Sequence, residues 1–82
     1  MRLDKFLKVS RIIKRRTIAN DACDASHVTV NGRPAKASYD VKVGDEITVM
    51  FGARTVKVRV TSIHESIRKE DAVNMYEVLS QS

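Results

Sequence analysis

The chain has 82 residues, 43% hydrophobic and 30% charged, with one cysteine and a formal net charge of +5. That describes one small domain over residues 1–82 with a thin core, and it leaves no room for a catalytic domain beside a binding domain. A single cysteine excludes an internal disulfide and fits a reducing cytoplasm. No apolar run approaches the roughly 20 residues of a spanning helix, and the first residues lack the apolar segment of a signal peptide.

The positive charge is concentrated at one end. The first sixteen residues hold Arg2, Lys5, Lys8, Arg11, Lys14, Arg15 and Arg16 against a single acid, Asp4, while the rest of the chain nearly balances. Concentrated cations suit a polyanion. Nucleic acid is favoured over a membrane surface, because no Trp is present to anchor an interfacial helix.

Leu3, Phe6 and Leu7 fall at i, i+3 and i+4, which predicts a helix over Arg2–Val9 with one apolar face. Asp4 lies in its first turn, where a carboxylate suits the helix dipole. Ser10 to Arg16 reads as a bend, plugged into the core by Ile12 and Ile13 and crowded by Arg11, Lys14, Arg15 and Arg16. Thr17 is a good N-cap for a second helix over about Ile18–Ala25, with Ile18, Ala19, Ala22 and Cys23 as its apolar face. Cys23 reads as core.

Val28-Thr29-Val30 alternates as a short strand, and Asn31-Gly32 is the strongest two-residue turn signal in the chain. Pro34 cannot donate to a ladder, so the next segment is expected to be an edge or irregular, and Ala35 to Tyr39 carries no clear pattern. Val41 and Val43 lead into a turn at Gly44-Asp45. Ile47, Val49 and Phe51, then Val56, Val58 and Val60, alternate on either side of Gly52-Ala53 and predict a hairpin. In the tail, Arg68 to Asn74 fits one or two helical turns. Met75 to Leu79 fits either a last strand or a continued helix, and a short helix followed by a strand is favoured.

Catalysis finds little support. One Cys and two distant histidines, His27 and His64, do not make a zinc site. Ser26 and His27 are sequence neighbours without a sign of an oriented third group or a pocket. No glycine-rich phosphate loop exists, and no cofactor is implied. Of the aromatics, Phe6 and Phe51 are expected inside, so a base-stacking sheet is not expected. Recognition is expected to rest on phosphates and on the shape of a folded RNA.

Four ordered blocks carry a family resemblance: Arg2-Leu3-Asp4-Lys5-Phe6-Leu7, Lys14-Arg15-Arg16-Thr17, Val28-Thr29-Val30-Asn31-Gly32 and Val41-Lys42-Val43-Gly44-Asp45. They resemble the S-four RNA-binding domain, or alpha-L motif, over about residues 1–51, with 52–82 as the hairpin return and a C-terminal extension. The resemblance implies an α+β fold, two short helices packed on a small, mostly antiparallel sheet. By matching position it puts Arg2, Lys5, Arg16, Thr17 and Asn31 at the RNA. The charge count adds Lys8, Arg11, Lys14 and Arg15.

With the tail Lys69-Glu70-Asp71-Ala72-Val73-Asn74-Met75-Tyr76, the whole chain is similar to the RqcP family of stand-alone S-four factors in bacterial ribosome-associated quality control, related to the fifteen-kilodalton heat-shock protein. That resemblance implies a non-catalytic monomer on obstructed large ribosomal subunits. Its implied partners are large-subunit RNA, P-site peptidyl-tRNA and RqcH, which adds alanine to the stalled chain. Rival readings are an assembly or heat-shock factor on the same subunit, an accessory module of an RNA-modifying enzyme, and a structural ribosomal protein. Ser26 departs from the pattern, standing where the family commonly has the glycine of a left-handed helix end.

Overall fold

The computed structural model describes residues 1–63 and 75–81. Two helices, α1 (Leu3–Val9) and α2 (Arg16–Asp24), precede strands β1 (Val28–Val30), β2 (Arg33–Pro34), β3 (Glu46–Phe51), β4 (Arg54–Val60) and β5 (Tyr76–Gln81). The strands form one antiparallel sheet in the order β2-β1-β3-β4-β5. This is the α+β arrangement expected from the sequence.

Helix α1 buries the face its spacing predicts, with Leu3, Phe6 and Leu7 fully enclosed. No side chain caps its start. Instead the Leu3 and Asp4 N–H groups donate to the carbonyls of Tyr39 and Ala37 at 2.8 and 3.2 Å. The patternless 35–39 stretch thus satisfies two of the donors that a helix start leaves open. An isolated antiparallel bridge between Arg2 and Asp40 extends the contact.

Thr17 is not the N-cap. Helix α2 starts at Arg16, and the cap position is Arg15, with extended backbone and no side-chain cap bond. The Ala19 N–H already donates to the Arg15 carbonyl at 3.0 Å, so the first turn closes two residues early and Thr17 lies inside it. The buried positions are then Ala19 and Cys23, four apart, and Ile18 is left 52% exposed. The other end of α2 is a Schellman cap. Ser26 has φ 62°, its N–H reaches the Cys23 carbonyl at 3.0 Å, and the His27 N–H reaches the Ala22 carbonyl at 2.9 Å. The left-handed geometry expected for a glycine is therefore kept by a serine.

Asn31 and Gly32 both have positive φ, 53° and 84°, as a two-residue hairpin turn requires. Pro34 sits on the edge strand β2. Asp45 ties the β1–β2 turn to the long connection before β3: it accepts from Asn31 Nδ2 at 3.1 Å, the Tyr39 hydroxyl at 3.2 Å and the Lys42 N–H at 3.0 Å. The inner face of the sheet buries Val28, Val30, Ile47, Val49, Val58 and Val60.

Phe51 departs from expectation. It shares the inner face, since β3 residues alternate and Ile47 and Val49 point inward, but it is 39% exposed. It lines an open groove with Ile12, Val56, Tyr76 and Val78 and stands outside the core cluster. The tail from Tyr76 is a strand, β5, paired with β4 across a bulge at Lys57/Val58. The helical turn expected over Arg68–Asn74 lies outside the described residues.

Candidate nucleic-acid interface

The basic end of the chain is organised by an acid. Asp4 is 2% exposed, and its carboxylate receives Arg2 Nε at 3.2 Å, Arg2 Nη2 at 3.4 Å, Arg16 Nε at 3.4 Å, Asn20 Nδ2 at 3.4 Å and its neighbour Lys5 N–H at 2.8 Å. Burial alone pushes this carboxyl up. The bonds from Arg2, Asn20, Arg16 and the Lys5 amide outweigh that and hold it below the ordinary carboxylate range. Both arginines remain about half exposed, at 51% and 47%. A guanidinium has five donors in a rigid fork. Each arginine is therefore aimed by the protein on one edge and keeps donors for an outside acceptor.

Around this pair, Thr17, Asn20 and Asp21 complete a shallow groove with Asp4 and Arg16. Lys8, Arg11, Lys14 and Arg15 are exposed, and among the described residues none of the four makes an ion pair. Lys5 is partly buried on α1. Lys5 also has a further interaction partner. Asn31 belongs to a different cluster. Its amide is held on both sides, donating to Asp45 and accepting from the Glu46 N–H at 3.0 Å, so its first role is to lock the β1–β2 turn to the start of β3.

The structure therefore brings Arg2, Arg16 and Thr17 together and leaves Asn31 apart from them. Sequence reasoning missed Asn20 and the central part of Asp4. Asn20 was legible in principle, four residues after Arg16 and so on the same helix face. It also missed Arg33 and Lys36, which line a second open groove beside Asn31 and Tyr39.

The described residues contain no group of ligands able to hold a metal ion. Cys23 is buried, and burial, aided by the Asp4 and Asp24 charges, pushes its thiol up to about 11. It therefore stays protonated and inert at neutral pH. His27 is exposed at the helix-to-strand junction. Among the described residues, no helix is long and apolar enough to cross a membrane.

A family model described as the S4 domain matches residues 1–47. The chain belongs to the S4 domain family. The S4 match takes in α1, the basic bend, α2 and the β1–β2 hairpin, and so the whole Asp4 cluster. Among individual proteins, the chain is 54% identical over 81 residues to the RQC P-site tRNA stabilizing factor of Bacillus subtilis, covering 99% of this chain and 94% of that one. It is 50% identical over 82 residues to the protein of the same name from Streptococcus pneumoniae, covering 100% and 93%. Among solved structures, the trimeric Heat Shock Protein 15 of Vibrio cholerae superimposes with a TM-score of 0.90 at 30% identity, over 98% of this S4 chain and 82% of that chain.

Proposed function

We propose that this S4 protein is a non-catalytic RNA-binding factor of ribosome-associated quality control. In this reading it binds obstructed large ribosomal subunits that still carry peptidyl-tRNA. It acts in the cytoplasm as a monomer and a single RNA-binding domain over residues 1–82. Its cations meet ribosomal RNA on one side and P-site tRNA on the other, and the tRNA so held lets RqcH extend the nascent chain with alanine. Near-full-length similarity to factors named for P-site tRNA stabilisation supports the setting.

The observation that carries the RNA contact is the pair Arg2 and Arg16 on one buried carboxylate. Fixed, half-exposed guanidinium forks suit phosphate oxygens. Such a compact patch gives little discrimination among the many RNA surfaces of a ribosome, so selectivity calls for a composite site where two RNA bodies meet.

The test is affinity for purified large subunits with and without peptidyl-tRNA, at fixed salt. A preference for the loaded subunit is expected. Equal affinities would favour an assembly or heat-shock factor, a reading the likeness to Heat Shock Protein 15 keeps in view. Untemplated alanine tails of normal length in cells lacking the protein would reject the role beside RqcH.

A further inference from the structure

At the Phe51 end the inner face of the sheet is left open and largely apolar. Phe51, Val56, Tyr76 and Val78 line an open groove next to Ile12, and Phe51 and Val78 are 39% and 47% exposed.

Arg11 and Arg54 line the same groove. Among the described residues neither makes an ion pair, and no carboxylate lines the groove. Arg11 also has φ 65°, a conformation that disfavours a side chain and that glycine would adopt without strain. An arginine that bears this strain and projects into a cationic, aromatic groove points to a use for its side chain. Arg11 belongs to the same basic bend as Lys14 and Arg15, so the groove continues the cationic surface already described.

We propose that this groove takes an unstacked nucleotide of the bound RNA, with the base against the Phe51 ring and a flanking phosphate at Arg11 or Arg54. The inference rests on the reading of the chain as an RNA binder. Single-stranded loops and bulges offer such bases, and a base presents a flat apolar face and an adjoining negative charge together. Aromatic stacking accepts any base, which suits a groove whose described lining has few groups for reading base edges. An acidic, amphipathic protein segment is the competing occupant. Continuity with the basic bend favours the nucleotide.

The test uses the full chain on purified large subunits carrying peptidyl-tRNA. Phe51→Leu keeps apolar bulk and removes the ring, and about tenfold weaker binding is expected, equivalent to about 1.4 kcal/mol. Phe51→Trp should bind as the parent does. Wild-type affinity for Phe51→Leu would overturn the proposal. Arg54→Ala, at an exposed position, should also weaken binding and carries the test if Phe51→Leu melts early. In parallel, Val78→p-benzoylphenylalanine should photo-cross-link to RNA, and a cross-link to protein alone would overturn the proposal. Lys14→Ala in the same assay separates the two readings. Loss with Lys14→Ala but none with Phe51→Leu or Arg54→Ala rejects the groove and leaves RNA binding standing. Loss with none of them rejects both.

Discussion

Arg16 Nε lies 3.4 Å from Asp4 Oδ2, which ties the first turn of α2 to the first turn of α1 through a buried charge. The contact joins stability to the proposed RNA contact, because the arginine that ties the two helices is also offered to the solvent. Asp4→Ala is expected to lower stability by about 1–3 kcal/mol, the cost of losing hydrogen bonds to a charged group. It should also weaken binding to large subunits, since Arg2 and Arg16 lose their common anchor and repel each other. Urea unfolding and a binding titration on the same variant check both effects. An unchanged unfolding midpoint would show that the anchor contributes nothing to the fold.

The same carboxyl sets an acid limit. Burial raises its pKa, and the Arg2, Asn20, Arg16 and Lys5 bonds bring it below the ordinary value. A group depressed in the folded state stabilises the fold above its unfolded pKa, about 3.9 for Asp, and loses that contribution as pH falls through the lower folded value. The stability gap between the parent and Asp4→Asn should be full at pH 7 and close below about pH 4. The comparison cancels the other depressed carboxylates, Asp40 and Glu46. A gap that widens on acidification would contradict the assignment.

Arg16 and Lys14 should differ in kind. Arg16 is held by Asp4, and Lys14 is exposed with no ion pair among the described residues. Arg16→Ala should cost about 1 kcal/mol of stability and a further 1.5–3 kcal/mol or so in RNA affinity. Lys14→Ala should leave the melt unchanged and lower affinity alone. Matched melts and titrations of the two variants decide the point.

Two side chains stand in left-handed backbone at helix ends, Arg11 at φ 65° and Ser26 at φ 62°. Replacing either with glycine should stabilise the fold by up to about 1 kcal/mol. Ser26→Gly should leave RNA binding intact, whereas Arg11→Gly should raise the melting temperature and lower the affinity. A glycine variant that melts below the parent would argue against strain at that site.

Salt should weaken the complex. If about five of the seven N-terminal cations each meet a phosphate, log K against log salt should fall with a slope of roughly −3.5 to −4.5. A slope near zero would mean that contacts to protein dominate.

Local chemistry was legible in the sequence and long-range packing was not. The Asn31-Gly32 turn, the edge position of Pro34 and the alternation of β3 and β4 depend on neighbours in the chain, and the structure keeps them. Asp4 looked like a helix-dipole partner because its ligands Arg16 and Asn20 are twelve and sixteen residues away. Thr17 is a good cap by residue type. The start of α2, however, is set by a turn that closes on Arg15 and by the pull of Arg16 toward Asp4. The pattern put Phe51 on the correct face of the strand. What no pattern shows is that this end of the face opens into a groove and is not covered.

The loop over residues 35–41 has a further consequence. Its Ala37 and Tyr39 carbonyls receive the start of α1, the Tyr39 hydroxyl reaches Asp45, and the Val41 N–H donates to the Met1 carbonyl at 2.8 Å. These contacts hold three residues of the loop, Ala37, Tyr39 and Val41, against the start of the chain and against Asp45, so the loop acts as a ruler. Adding or removing one residue would shift at least two of these contacts out of register together. Length variation among descendants of this chain should therefore avoid 35–41 and collect at the turn around Gly52-Ala53, which joins only β3 to β4.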